Sequence, residues 1–176
     1  MKKIILCAVL LVCLGIGGAF AMDLTTYPDS VAANHPMFNL GIGFGNVWYG
    51  SLRIPPILFS MDWPIALGGL PFSLGAGVGI AQYGWSSDYK YTYLLINGRV
   101  AYHFNFDVPK LDTYVMAALG VRLAFEDYYG TSYTHAWFDF GAAIGVRYFF
   151  IPAVGAYAEL GYTGLTYISL GVAFRI

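Results

Sequence analysis

Charge is scarce in this chain: Lys, Arg, Asp and Glu together make 11% of its 176 residues, against about 25% in ordinary soluble domains. So little charge cannot coat a water-soluble domain of this length. Cysteine is nearly missing too. Cys7 and Cys13 both fall within the first 21 residues, so the remainder has no disulfide, and no His, Cys and carboxylate cluster stands at metal-ligand spacing, so neither a metal nor another cofactor is foreseen. Past residue 21 no apolar run approaches the ~20 residues of a membrane-spanning helix. The net charge of −1, with no basic cluster, offers nucleic acid no footing.

The chain begins Met1-Lys2-Lys3, then runs apolar from Ile4 to Leu14, and reaches Ala19-Phe20-Ala21 after a Gly pair. This is the pattern of a secretory signal peptide cut after Ala21; as a membrane anchor the run is too short. The expected organisation is a signal at 1–21, a polar leader at 22–36 and one domain at 37–176.

What the sequence does hold is alternation. Phe72-Ser73-Leu74-Gly75-Ala76-Gly77-Val78-Gly79-Ile80 sets apolar side chains at even positions and Gly or Ser at most odd ones, giving a strand one greasy and one nearly empty face. Eight such segments recur between breaks: Phe38–Gly45, Ile57–Ile65, Phe72–Ile80, Tyr91–Phe104, Leu111–Leu123, Ala136–Tyr148, Val154–Tyr162 and Tyr167–Ile176. In the strand cores the charges fall on the small-residue face: Asp62, Arg99, Asp112, Arg122, Asp139, Arg147, Glu159 and Arg175, with His103 among them. Turning that face toward lipid would cost up to roughly 2–4 kcal/mol for each arginine near the bilayer midplane. The apolar face therefore meets lipid. The fold class that follows is all-β: an eight-stranded, antiparallel, up-and-down transmembrane β-barrel, its apolar face partnered by outer-membrane lipid and its lumen packed with a polar network. The rival is a secreted soluble barrel with a greasy interior, of the lipocalin kind.

With the amino terminus periplasmic, the outer loops are Asn46–Arg53, Gly84–Lys90, Glu126–His135 and Thr163-Gly164. The periplasmic turns are Ala66–Pro71, Asn105–Lys110 and Phe149–Ala153. Aromatics gather at both ends. Trp63, Tyr102, Phe104, Tyr148 and Phe174 form an inner belt. Tyr83 and Tyr91 stand at the outer end with the outer-loop aromatics Trp48, Tyr49, Trp85, Tyr89, Tyr128, Tyr129 and Tyr133, which read as an interfacial belt or as a sticky surface for a partner.

At its carboxyl end the chain reads Gly171-Val172-Ala173-Phe174-Arg175-Ile176. This resembles the terminal signal of the small eight-stranded outer-membrane barrels of the OmpX-like and OmpW-like kind, with Ile176 where an aromatic residue is usual. Pro55-Pro56-Ile57 and the Tyr114–Arg122 strand are similar to that family as well. The resemblance implies that Gly171, Phe174 and Ile176 are read by the outer-membrane assembly machinery. An OmpX-like protein has a structural or surface-interaction role; an OmpW-like one passes or binds small, hydrophobic molecules.

Catalytic chemistry has two candidate seats. His103 lies on the lumen face, where hydrogen bonding within a polar core is the simpler role. His135 stands near Ser132, Glu126 and Asp127, a neighbourhood that a polar loop offers by chance. No catalytic residue is assigned. The glycines on the lumen face of the first, third and sixth strands mark where an unfilled cavity would be sought, and the protein is expected to be a monomer.

Overall fold

A computed structural model describes residues 23–28, 31, 35–45, 51–86, 89–128 and 130–176. The expected signal at 1–21 and Trp48, Tyr49 and Tyr129 lie outside the described residues. The strands are β1 (Met37–Phe44), β2 (Ser51–Leu67), β3 (Leu70–Ser86), β4 (Tyr89–Phe104), β5 (Leu111–Tyr128), β6 (Thr131–Ile151), β7 (Val154–Tyr162) and β8 (Ile168–Arg175). Each pairs antiparallel with the next, and β8 returns to β1 to close the barrel. Between β2 and β3 only Gly68 and Gly69 turn the chain, at φ of 63° and 83°. Two consecutive left-handed residues make the tight hairpin whose twist suits its strands, and glycine takes that conformation without strain.

Side-chain burial is inside out. Leu40, Phe59, Leu74, Ile96, Leu119, Ile144, Leu160 and Val172 stand exposed on the outer surface, whereas Asp62, His103, Asp112 and Arg147 have no exposed surface at all. Only a hydrocarbon surround makes this distribution favourable.

Strand lengths are unequal. β1, β7 and β8 have 8, 9 and 8 residues, close to the ~9–11 tilted residues that cross a bilayer. β2 to β6 have 17, 17, 16, 18 and 21, so this half of the wall rises well past the other. Three expected outer loops are thereby partly strand: Ser51–Arg53, Gly84–Ser86 and Lys90, and Glu126–Tyr128 with Thr131–His135. The ladder continues where lipid no longer selects an apolar face; Gln82, Thr92, Asp127 and Ser132 occupy the outward positions there, and the alternation that marks a strand in sequence fades. Tyr89, Tyr128 and Tyr133 are accordingly strand residues, not loop residues, and Trp85 lies in β3.

Conversely, Tyr167 precedes β8 and is exposed, while residues 163–166 fold into the barrel mouth with Leu165 and Thr166 fully buried. Tyr83 also departs from the expected belt: it points into the lumen and is buried beside Tyr93.

Candidate functional site: the lumen and its two mouths

The lumen is built in three tiers. In the middle, Arg99 on β4 reaches Glu159 on β7 at 2.7 Å and Asp62 on β2 at 2.9 Å. Arg147 on β6 holds Asp112 at 2.8 Å and also grips Asp62, and its Nε donates to Asn39 Oδ1 at 2.9 Å. The Tyr114 hydroxyl donates to Glu159 at 2.8 Å, and the Arg147 guanidinium lies 4.2 Å from the centre of the Tyr114 ring. Five of the eight strands contribute a charge here, so the network crosses the lumen and ties its walls together. Buried ions survive only when paired and hydrogen-bonded in this way.

Toward the short-turn end, His103 Nδ1–H donates to Asp112 Oδ1 at 2.7 Å, and His103 Nε2 lies 3.0 Å from Ser73 Oγ. The spacing is that of a serine, histidine and carboxylate relay. Ser73 is fully buried, however, and the group on Asp112 that a hydrolase would leave to histidine alone is shared with Arg147. Nucleophile and base are present, and in this closed arrangement both are packed away from solvent.

The short-turn mouth is filled by the leader. Asp23 and Asn105 exchange main-chain hydrogen bonds of 2.8 and 3.1 Å, while Tyr27 enters the mouth, donates to the carbonyls of Ile65 and Phe72, and sets its ring 5.9 Å from that of His103. Burial pushes the Tyr27 phenol up, so it stays a donor. Val31 packs with Met37, Phe149, Tyr157 and Ala173.

The long-strand mouth is apolar. Ala81, Tyr83, Tyr93, Leu95 and Ala124 enclose Leu165, which the short β7–β8 connection drops into them. Arg122 on β5 pairs with Asp139 on β6 at 2.6 Å beneath this cluster and donates to the Gly164 carbonyl at 3.3 Å, holding the connection down.

Of the polar residues singled out from sequence, Asp62, Arg99, His103, Asp112, Arg122, Asp139, Arg147 and Glu159 are brought together in the lumen. Arg175 is not. It lies at the short-turn rim, donating to the Pro152 carbonyl at 2.9 Å over the Phe149 ring, because its lumen-facing position falls past the last tier. Gly171, Phe174 and Ile176 occupy β8 and the residue after it; Phe174 faces outward, and the Ile176 carbonyl meets the His35 ring at 2.9 Å. His135 comes within 3.9 Å of Glu126 only, at the exposed rim. Among the described residues no group of His, Cys and carboxylates forms a metal site. Sequence reasoning missed Tyr27, Leu165 and Tyr114. Tyr114 had a signal in its lumen-facing parity; the other two lie outside any alternating segment.

The glycine faces are not empty. The Asn97 amide approaches the Gly77 face, 2.6 Å from where a β-carbon would lie, and the Tyr114 and Tyr157 rings cover Gly145 and Gly41. A cavity of about 30 Å³ lies between Ser60, Gly77, Asn97, Arg99 and Glu159, with Asn97 Oδ1 at its edge and without a hydrogen-bond partner among the described residues. This is room for one or two waters.

No family model and no curated protein matches the chain. Solved structures do. Ail, the attachment invasion locus protein of Yersinia pestis, in complex with the heparin analogue sucrose octasulfate, superposes with a TM-score of 0.57 at 11% identity, over 82% of this chain and 100% of that one. The fold is that of a small outer-membrane β-barrel. The amino-terminal barrel domain of Pseudomonas aeruginosa OprF matches with a TM-score of 0.53 at 15% identity, over 82% of this chain and 98% of that chain. Neisserial surface protein A gives 0.56 at 14%, over 81% and 95%. These outer-membrane barrels share the eight-stranded closed wall expected from the eight alternating segments.

Proposed function

We propose that this outer-membrane barrel is a closed, non-catalytic anchor that carries a surface-interaction wall, with its short turns periplasmic and its long strands outside. The observation that carries this reading is the half-wall β2–β6. Its last strand, β6, is paired on both sides only from Ala142 downward, and above that it pairs with β5 alone among the described residues. Tyr133, Trp137 and Phe138 are all exposed on this hairpin. The opposite border of the wall, upper β2, holds Pro55, Pro56 and two register shifts, devices that discourage edge pairing; upper β6 has none.

A channel or carrier has less support, since both mouths are filled and the lumen cavity admits only water. A polysulfated sugar, which one structural neighbour holds, lacks a matching charge here: the described rim carries Arg53 and Lys90 against Glu126 and Asp127. The test has two arms. Purified barrel in planar bilayers gives no resolved conductance steps, and replacing Tyr133, Trp137 and Phe138 together by Ser abolishes the adhesion that distinguishes expressing cells from a null strain. Steady conductance steps, or adhesion indifferent to the triple change, would overturn the reading.

A further inference from the structure

We propose that Asp23–Pro28 is a detachable stopper whose withdrawal opens a dead-end vestibule, lined by His103, Ser73 and the carbonyls of Ile65 and Phe72, at the short-turn mouth. Among the described residues one bridge joins the segment to the barrel, Asp23 with Asn105. Besides the packing of Tyr27 and the buried Pro28, its other links are individual hydrogen bonds around the same ring of the mouth: the Tyr102 hydroxyl to the Leu24 carbonyl, Asn105 Nδ2 to Thr26 Oγ1 at 3.2 Å and to the Tyr27 carbonyl at 3.3 Å, and the Tyr27 hydroxyl to Ile65 at 2.6 Å and to Phe72. Among the described residues no ladder holds it, so it leaves without disturbing a strand.

It also keeps a shape of its own. The Asp23 carboxylate accepts from the Thr25 N–H at 2.7 Å, the Thr25 hydroxyl at 2.8 Å and the Thr26 hydroxyl at 2.7 Å. A segment tied to itself in this way loses less conformational freedom on reseating than a free chain does.

The socket suits a reversible occupant. Pro64 and Pro71 are buried on the facing strands β2 and β3 and supply no N–H, and the neighbouring carbonyls of Ile65 and Phe72 turn to the Tyr27 hydroxyl. Water replaces that donor when Tyr27 leaves, so neither state strands a buried acceptor. Behind the stopper His103 is the first polar side chain met. Beyond it Arg147, Tyr114 and Met37 fill the lumen, all buried. Withdrawal therefore changes access to the vestibule and leaves the barrel sealed.

The experiment is carbethoxylation of histidine by diethyl pyrocarbonate on folded protein in detergent, read by mass spectrometry. The exposed His135 serves as the reference within each molecule. In the unaltered barrel His103 reacts far more slowly than His135. Tyr27→Ala, or deletion of residues 23–28, raises the His103-to-His135 rate ratio at least tenfold, and Tyr27→Phe, which keeps the ring and loses the hydroxyl, falls between. Heat-modifiable gel migration certifies each variant as folded. As a second reading, a cationic thiol reagent labels Ser73→Cys faster in the leader-deleted protein while Ala118→Cys stays unlabelled. A His103 ratio unchanged by these alterations would overturn the stopper, and so would Ala118→Cys labelling as fast as Ser73→Cys, which means that the whole lumen has opened.

Discussion

The ring of Tyr114 on β5 lies across Gly145, its register partner on β6, and occupies the space that a β-carbon at residue 145 would need. Gly145→Ala forces this ring off its hydrogen bond to Glu159 or bends the strand, and overpacking of this kind costs about 1–3 kcal/mol. Urea unfolding of the barrel in detergent reads the loss. Adding Tyr114→Leu to Gly145→Ala is less damaging than the sum of the two single changes, because the clash no longer exists in the pair.

Arg147→Met leaves Asp62 and Asp112 buried without their shared cation. Removing one partner of a buried ion pair costs about 3–5 kcal/mol, which lowers the unfolding midpoint sharply. Asp62 keeps Arg99 and Asp112 keeps His103, and relieving the excess negative charge with Asp62→Asn and Asp112→Asn recovers part of that loss. A triple variant no more stable than Arg147→Met would contradict the ion-pair account.

Leu165→Ala removes the side chain that fills the long-strand mouth and costs about 2–5 kcal/mol, the range for emptying a packed leucine site. It creates no ion path, since the Arg99, Glu159 and Asp62 tier lies below it intact. Conductance in planar bilayers stays at baseline while the melting temperature falls.

The leader responds to acid. Hydrogen bonds from the Thr25 N–H and from the Thr26 and Thr25 hydroxyls pull the Asp23 carboxyl down from its ordinary 3.8 to about 2. A depressed folded-state value means that the local stabilisation is complete above 3.8 and is lost as pH falls toward about 2. Leader seating, followed by hydrogen exchange at the Asn105 amide, is therefore level from neutral pH down to about 4 and weakens below it. Asp23→Asn removes that acid-dependent step.

Much of the wall was legible because lipid and lumen select opposite side chains on alternate residues. Arg99, Arg122, Arg147 and Glu159 betrayed the inward face directly. The upper parts of β5 and β6 were invisible for the converse reason: above the membrane both faces meet water or aromatic neighbours, so Glu126 to His135 reads as loop while the ladder persists. Distances across the lumen follow from closure and stagger, which no single strand encodes. Parity alone therefore placed Asp62 and Arg147 on the same face without showing that they meet. Glycine misled for a related reason. At Gly77 and Gly145 the missing side chain is space already claimed by Asn97 and Tyr114 from the next strand.

The unequal strands give the barrel a handed approach. With the long strands outside, as proposed, a molecule diffusing within the outer leaflet meets, among the described residues, a low sill at β7, β8 and β1 and can pass over it to face Trp137, His135 and Tyr133. One arriving from beyond the β2–β5 side meets the back of a screen. Two encounters at the same distance from the axis are thus unlike, and copies of this protein in one membrane, free to spin about the membrane normal, turn the open side to every bearing in time.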